Sequence, residues 1–111
     1  MPIAEHESGS QTAVINTEHT LGTADDGTDG VFQHDLDVSA MVRLDELEIR
    51  LYDKCQATGV SLLIHMWKIR HAQADGLWRS PVMVFMHARK LTIKQTAGTG
   101  RIIPWSVKRV S

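Results

Sequence analysis

The chain has 111 residues, enough for one domain with a sizeable core but not for two. Hydrophobic residues make up 42% and charged residues 23%, the balance of an ordinary globular domain. Its 12 basic and 13 acidic side chains nearly cancel, which argues against a nucleic-acid or membrane-surface binder, and a single cysteine, Cys55, excludes an intrachain disulfide and a cysteine-based zinc site.

Residues 1–11 are polar, contain Pro2, Ser8, Gly9 and Ser10, and keep no period, so an extended N-terminal arm is expected there and the domain proper over 12–111. The opening MPIAEHESGSQT lacks the apolar run of a signal peptide, and no segment approaches the roughly 18 apolar residues of a membrane helix. A soluble protein made in a cytoplasm is the expectation.

From Thr12, TAVINTEHTL reads as a first strand, followed by the turn-rich GTADDGTDG. In VFQHDLDV, Phe32, His34, Leu36 and Val38 alternate with Gln33, Asp35 and Asp37, the period of a half-buried strand. ELEIRLYDKC sets Leu47, Ile49 and Leu51 against Glu46, Glu48, Arg50 and Tyr52. A helix competes over residues 40–55, since Met41, Leu44, Leu47, Leu51 and Cys55 also fall three and four apart, but Ile49 would point away from that stripe. VSLLIHMWKIRHAQ is apolar on both faces, as in a central strand or one at an interface. ADGLWRSP reads as a loop and VMVFMHA as a short strand entered through Pro81.

KLTIKQ and RIIPWSVKRV close the chain around TAGTG, whose glycines stand beside Arg101 in the manner of a phosphate cradle. Such cradles join a strand to a helix N-terminus. The segment after these glycines contains Pro104 and alternates as a strand, so the glycines read as positive-φ positions of a hairpin. Pro104 also marks an edge or bulge in the last strand.

The six histidines show no metal-ligand spacing, and His34, His65 and His87 sit among apolar residues as core histidines do. DDGTDG lacks the ligand spacing of a calcium loop. Cys55 reads as a small packing residue, and Glu46 and Glu48 beside Arg50 as an ion-paired surface. No catalytic residue, metal ligand, cofactor or small-molecule site emerges, and the pattern is that of an all-β sandwich, jelly-roll-like, with seven to eight antiparallel strands. Trp67, Trp78 and Trp105 fit core or interface positions.

The stretch GVFQHDLDVSAMVRLDELEIRLYDK, with WRSPVMVFMHARKLTIKQTAGTGRIIPWSVKRV, resembles small β-sandwich virion structural proteins of tailed bacteriophages and prophages. The closing segment carries it best, through Thr92, Lys94, Gln95, Ala97, Gly98, Thr99, Arg101, Ile103 and Trp105. CQATGVSLL and Pro104 depart from the pattern. The resemblance implies a non-enzymatic head decoration (cement) protein, spike base or neck accessory. It would sit in the virion, need no cofactor, and bind the major capsid protein or other virion proteins and copies of itself. Trp78 is the first expected contact residue, with Trp67 and Arg101 after it. A tail or neck component, or a carbohydrate-binding module using the tryptophans and the Asp-rich loop, are the alternatives.

Overall fold

The computed structural model describes residues 4–56, 58–71 and 76–110. These form β1 (Ala4–Thr12), β2 (Glu18–Asp26), β3 (Gly30–Asp37), β4 (Glu46–Lys54), β5 (Ser61–Arg70), β6 (Leu77–Arg79), β7 (Met83–Phe85), β8 (Arg89–Ala97) and β9 (Ile102–Arg109). One sheet runs β1-β9-β3-β6, with β7 also paired to β3, and the other runs β2-β8-β4-β5. The fold is all-β, two antiparallel sheets sharing one core, with nine strands among the described residues where seven or eight were expected.

Alternation builds that core. Phe32, His34 and Leu36 on β3 face Leu47, Ile49 and Leu51 on β4, and Leu91, Ile93, Ile103 and Val107 fill between them, all at most 1% exposed. Ile49 points inward with Leu47 and Leu51, so residues 46–54 are a strand and the helical stripe is coincidental.

Several local expectations need correction. From Ala4 the supposed arm is a strand: β1 pairs along β9 from Ala4↔Arg109 to Thr12↔Ile102, while residues 1–3 lie outside the described ones. Its order comes from backbone hydrogen bonds, which leave no apolar period in the sequence. The expected first strand is instead split, with a turn through Asn16 (φ 61) ahead of β2, and β2 runs through the Asp-rich segment to Asp26. The segment VSLLIHMWKIR is not a central strand, because among the described residues β5 ends its sheet and pairs only with β4. Within the expected loop ADGLWRSP, Leu77–Arg79 form β6, and residues 74–75 lie outside the described ones. TAGTG is not a hairpin, because β8 and β9 lie in different sheets and the loop arches between them. Gly98 has the positive φ expected of both glycines, whereas Gly100 does not, and is instead closed in by the Ala13 carbonyl. Positive φ serves an arch as well as a hairpin, which is why glycine chemistry alone did not separate them. Pro104 fits its position, since β3 pairs with β9 only from Trp105 onward and Pro104 has β1 alone beside it.

The arch is held by two buried polar side chains. Gln95 Nε2 donates to the carbonyls of Ala97 and Thr99 (3.1 and 2.7 Å), and its Oε1 accepts from Arg101 N. Asp45, 1% exposed, accepts from Val42 N and Arg101 Nε at 2.9 and 2.8 Å. Gly98 has φ +88, and a Cβ there would collide with the Asp45 carboxylate and lie 2.9 Å from its Cα. Gly98→Val is therefore expected to destabilise the domain by about 1–3 kcal/mol from strain alone. An unchanged thermal midpoint would show that the arch is not tightly determined.

Candidate interaction edge and buried ionic cluster

The strand orders place β1 beside β2 at one side of the molecule and β5 beside β6 and β7 at the other. Each open side is plugged by tryptophan. On the β1–β2 side, Trp105 extends over Gly9, its register partner on β1, where a Cβ would lie 3.0 Å from the indole. The ring reaches on toward Gly22 of β2, which has φ +78. On the opposite side, Trp67 of β5 meets Trp78 of β6 edge to face at 5.0 Å, and both pack against the core. The His65 ring lies 4.1 Å from Trp67, tilted by 44° to it.

Trp78 is thus not the exposed loop anchor expected of it. It sits in a strand, opposite Leu36, half-buried against its partner indole. Trp67→Ala and Trp78→Ala should each cost about 2–3 kcal/mol. Because the rings share one contact, the double variant should lose less than the sum by about 0.5–1.5 kcal/mol. Strict additivity in urea unfolding would mean the two rings act independently. Arg101, the third expected contact residue, is engaged in the arch through Asp45. Burial pushes the Asp45 carboxyl up, but Arg101 and the N–H groups of Val42 and Thr99 outweigh it and hold its pKa below the ordinary range.

Sequence reasoning allowed β5 as an interface strand, but it missed the rest of the rim around the Trp67–Trp78 pair. Leu62, Leu63, Ile64 and Met66 on β5 are 44–51% exposed. Leu77 on β6 and Val82, Val84 and Met86 around β7 are 49–72% exposed. Val84 is opposite Val31 and points away from the core that Met83 and Phe85 enter. Single exposed apolar residues are normal, whereas their collection on one edge marks an interaction surface. The two-faced apolarity of SLLIHMW was the signal.

A second cluster lies inside, toward the other end of β3. Arg89, fully buried, donates from Nη2 to Glu7 Oε1 and Asp26 Oδ2, both at 3.0 Å, and its guanidinium lies 5.3 Å from the Phe32 ring centroid. A bulge between Glu5 and Glu7 lets neighbouring His6 and Glu7 both reach this point. His6 Nε2 lies 2.7 Å from Asp26 Oδ2. Burial raises the Asp26 carboxyl, but hydrogen bonds from Thr28, His6 and Arg89 hold it far below the usual range. His34 Nε2 is 3.4 Å from Arg89 Nη1, and its Nδ1 is 3.5 Å from Ser80 Oγ. Arginine only donates, so Nε2 accepts and the ring proton sits on Nδ1. Burial first, then the Arg89 charge, push the His34 pKa down to about 3.

His6, Glu7 and Asp26 bring three ligand atoms within 4.8 Å of one another. Arg89 already neutralises both carboxylates, so a cation would have to displace a buried guanidinium. Of the remaining expectations, His34 is a core histidine, whereas His65 and Cys55 are exposed. The Asp-rich segment and the Trp67–Trp78 pair do not share a site. Gly30, next to that segment, pairs with Phe85, while Trp78 pairs with Leu36, about 20 Å further along β3. No family model, curated protein or solved structure matches the chain.

Proposed function

We propose that this protein is a non-enzymatic structural protein of a virion, a jelly-roll-like decoration or head-associated subunit that binds and stabilises the capsid lattice. The observation that carries the reading is the apolar rim: of the thirteen large apolar side chains exposed among the described residues, eight belong to β5, β6 and the β7 region at one side of the sandwich, 44–72% exposed. A subunit kept in solution gains nothing from such an edge, whereas one docked on a shell buries it. The near-neutral charge, 12 basic against 13 acidic residues, suits dense packing on a lattice, where like-charged neighbours would repel. The sequence resemblance to small phage virion proteins supplies the setting. Several weak contacts repeated over a lattice add avidity of about 10²–10⁴ without tight single-copy binding.

The test adds purified protein to undecorated capsids and follows their rupture temperature. A saturable rise is expected, because binding only the assembled state stabilises it by mass action. Val84→Glu with Met86→Glu should abolish the rise while leaving the domain's own melting temperature unchanged, since both side chains are more than half exposed. Attachment confined to the portal vertex would make it a neck component, and no attachment to heads would end the head reading.

A further inference from the structure

We propose that β5 pairs edge to edge with β5 of a second copy, antiparallel, joining two four-stranded sheets into one of eight strands. The inference rests on reading the β5–β7 rim as an assembly surface and names the occupant of its β5 half.

A strand at the end of a sheet presents unpaired N–H and C=O groups to any strand that approaches, and proteins blunt such edges with bulges, charges, proline or shortness. Three edges of this sandwich are blunted. β1 is polar and bulged between Glu5 and Glu7. β2 loses register between Leu21 and Asp26 and carries Glu18 and Asp26. β6 and β7 are three residues each, separated by a segment containing Pro81. The fourth edge, β5, is the least blunted. It runs ten residues as SLLIHMWKIR without proline, glycine or an acidic residue, and among the described residues pairs with β4 alone. Its one irregularity, between the pairs Leu51↔His65 and Tyr52↔Leu63, makes Ile64 the extra residue and adds an exposed isoleucine, not a charge.

Charge sets the direction in which a second copy pairs. Both cations of β5, Lys68 and Arg70, lie in its C-terminal half, where Glu46 holds them at 2.8 and 3.1 Å. A parallel copy would stack Lys68 on Lys68 and Arg70 on Arg70, and like charges directly opposite destabilise a ladder. An antiparallel copy sends the two cationic halves to opposite ends and lays each over the uncharged Ser61–Ile64 of its partner. Leu62, Leu63, Ile64 and Met66 then gain neighbours on both faces of a continuous sheet. Val82, Val84 and Met86 stay outside this contact, available to a lattice.

Analytical ultracentrifugation of the isolated chain should show a species of twice 12.4 kDa. The double variant Leu63→Lys, Ile64→Lys should raise the dimer dissociation constant by about tenfold or more. Both side chains are about half exposed, so its melting temperature in dilute, monomeric solution should match the wild type. Direction is read from spin labels on single cysteines at Leu62, His65 and Lys68 in a Cys55→Ser background. In the antiparallel pair, label separation is smallest near the strand centre and grows by about 6–7 Å per residue away from it. A constant separation at the three sites would overturn the antiparallel pairing, and a wild-type chain that stays monomeric at high concentration would overturn the contact itself. A monomer that still stabilises capsids would leave the proposed function standing without this inference. A dimer that ignores capsids would do the reverse.

Discussion

Replacing Arg89 with methionine is expected to remove about 3–5 kcal/mol of stability, the cost of leaving a buried ion pair half broken. For a domain of this size that is a large part of a total near 5–15 kcal/mol. Methionine fills much of the volume, so the loss would come from charge rather than from a cavity. Nη2 serves Glu7 and Asp26 together, and their side chains are only 21% and 10% exposed, so neither carboxylate can rehydrate without opening the β1–β2 side of the sandwich. Lysine should rescue poorly, because one ammonium cannot reproduce a planar fork that also reaches toward His34. The decisive comparison is the triple variant Arg89→Met, Glu7→Gln, Asp26→Asn. It removes the stranded charges and should recover much of the loss in urea unfolding. If the single variant unfolds at the wild-type urea concentration, the cluster contributes no net stability. If the triple variant is no better than the single, packing and not charge explains the effect.

This cluster shows where the sequence could be read and where it could not. Alternation over residues 31–38 and 46–52 announced β3 and β4, because one face of each strand meets the core and the other meets water. The same rule had no purchase on β1, whose polar residues are ordered by a ladder to β9 at the far end of the chain. Arg89 was equally silent. In HARKLTIK it is one of three cations in a row of eight residues, and only the bulge at Glu5–Glu7 and the packing of β2 against β8 bring its partners to it. The tryptophans were visible as anchors, but their partners were not: Trp67 and Trp78 meet across two sheets, a contact that no spacing along the chain encodes. The arch at Gly98 was legible as a positive-φ turn, whereas the sheet each flanking strand joins depends on the whole topology.

Acid should begin to destabilise the domain well above the range in which carboxylates alone would act, and His34 sets the window. In the unfolded chain its imidazole titrates near 6.5, whereas in the folded protein the pKa lies at about 3. Burial disfavours the imidazolium, the Arg89 charge opposes it further, and the nearby Asp35 only partly offsets them. A proton on Nε2 would also face Arg89 Nη1 donor to donor, 3.4 Å away. Above pH 6.5 both states hold His34 neutral and it adds no pH dependence. As the pH falls below 6.5 the unfolded state alone takes up the proton, and stability falls by about 1.4 kcal/mol per pH unit until the folded pKa is reached. The loss by pH 4 is thus about 3 kcal/mol from this one group. Asp26 acts in the same direction but lower: its pKa is depressed on folding, so its contribution is complete above the ordinary carboxylate range and disappears only as the pH falls through the depressed value. The two windows can be separated with urea midpoints at pH 7, 5.5 and 4 for the wild type and His34→Gln. The variant starts less stable but should lose little between pH 6.5 and 4.5, where the wild type declines steadily. An equal decline in both would assign the acid sensitivity to the carboxylates, and would mean that His34 can take up a proton inside the folded core.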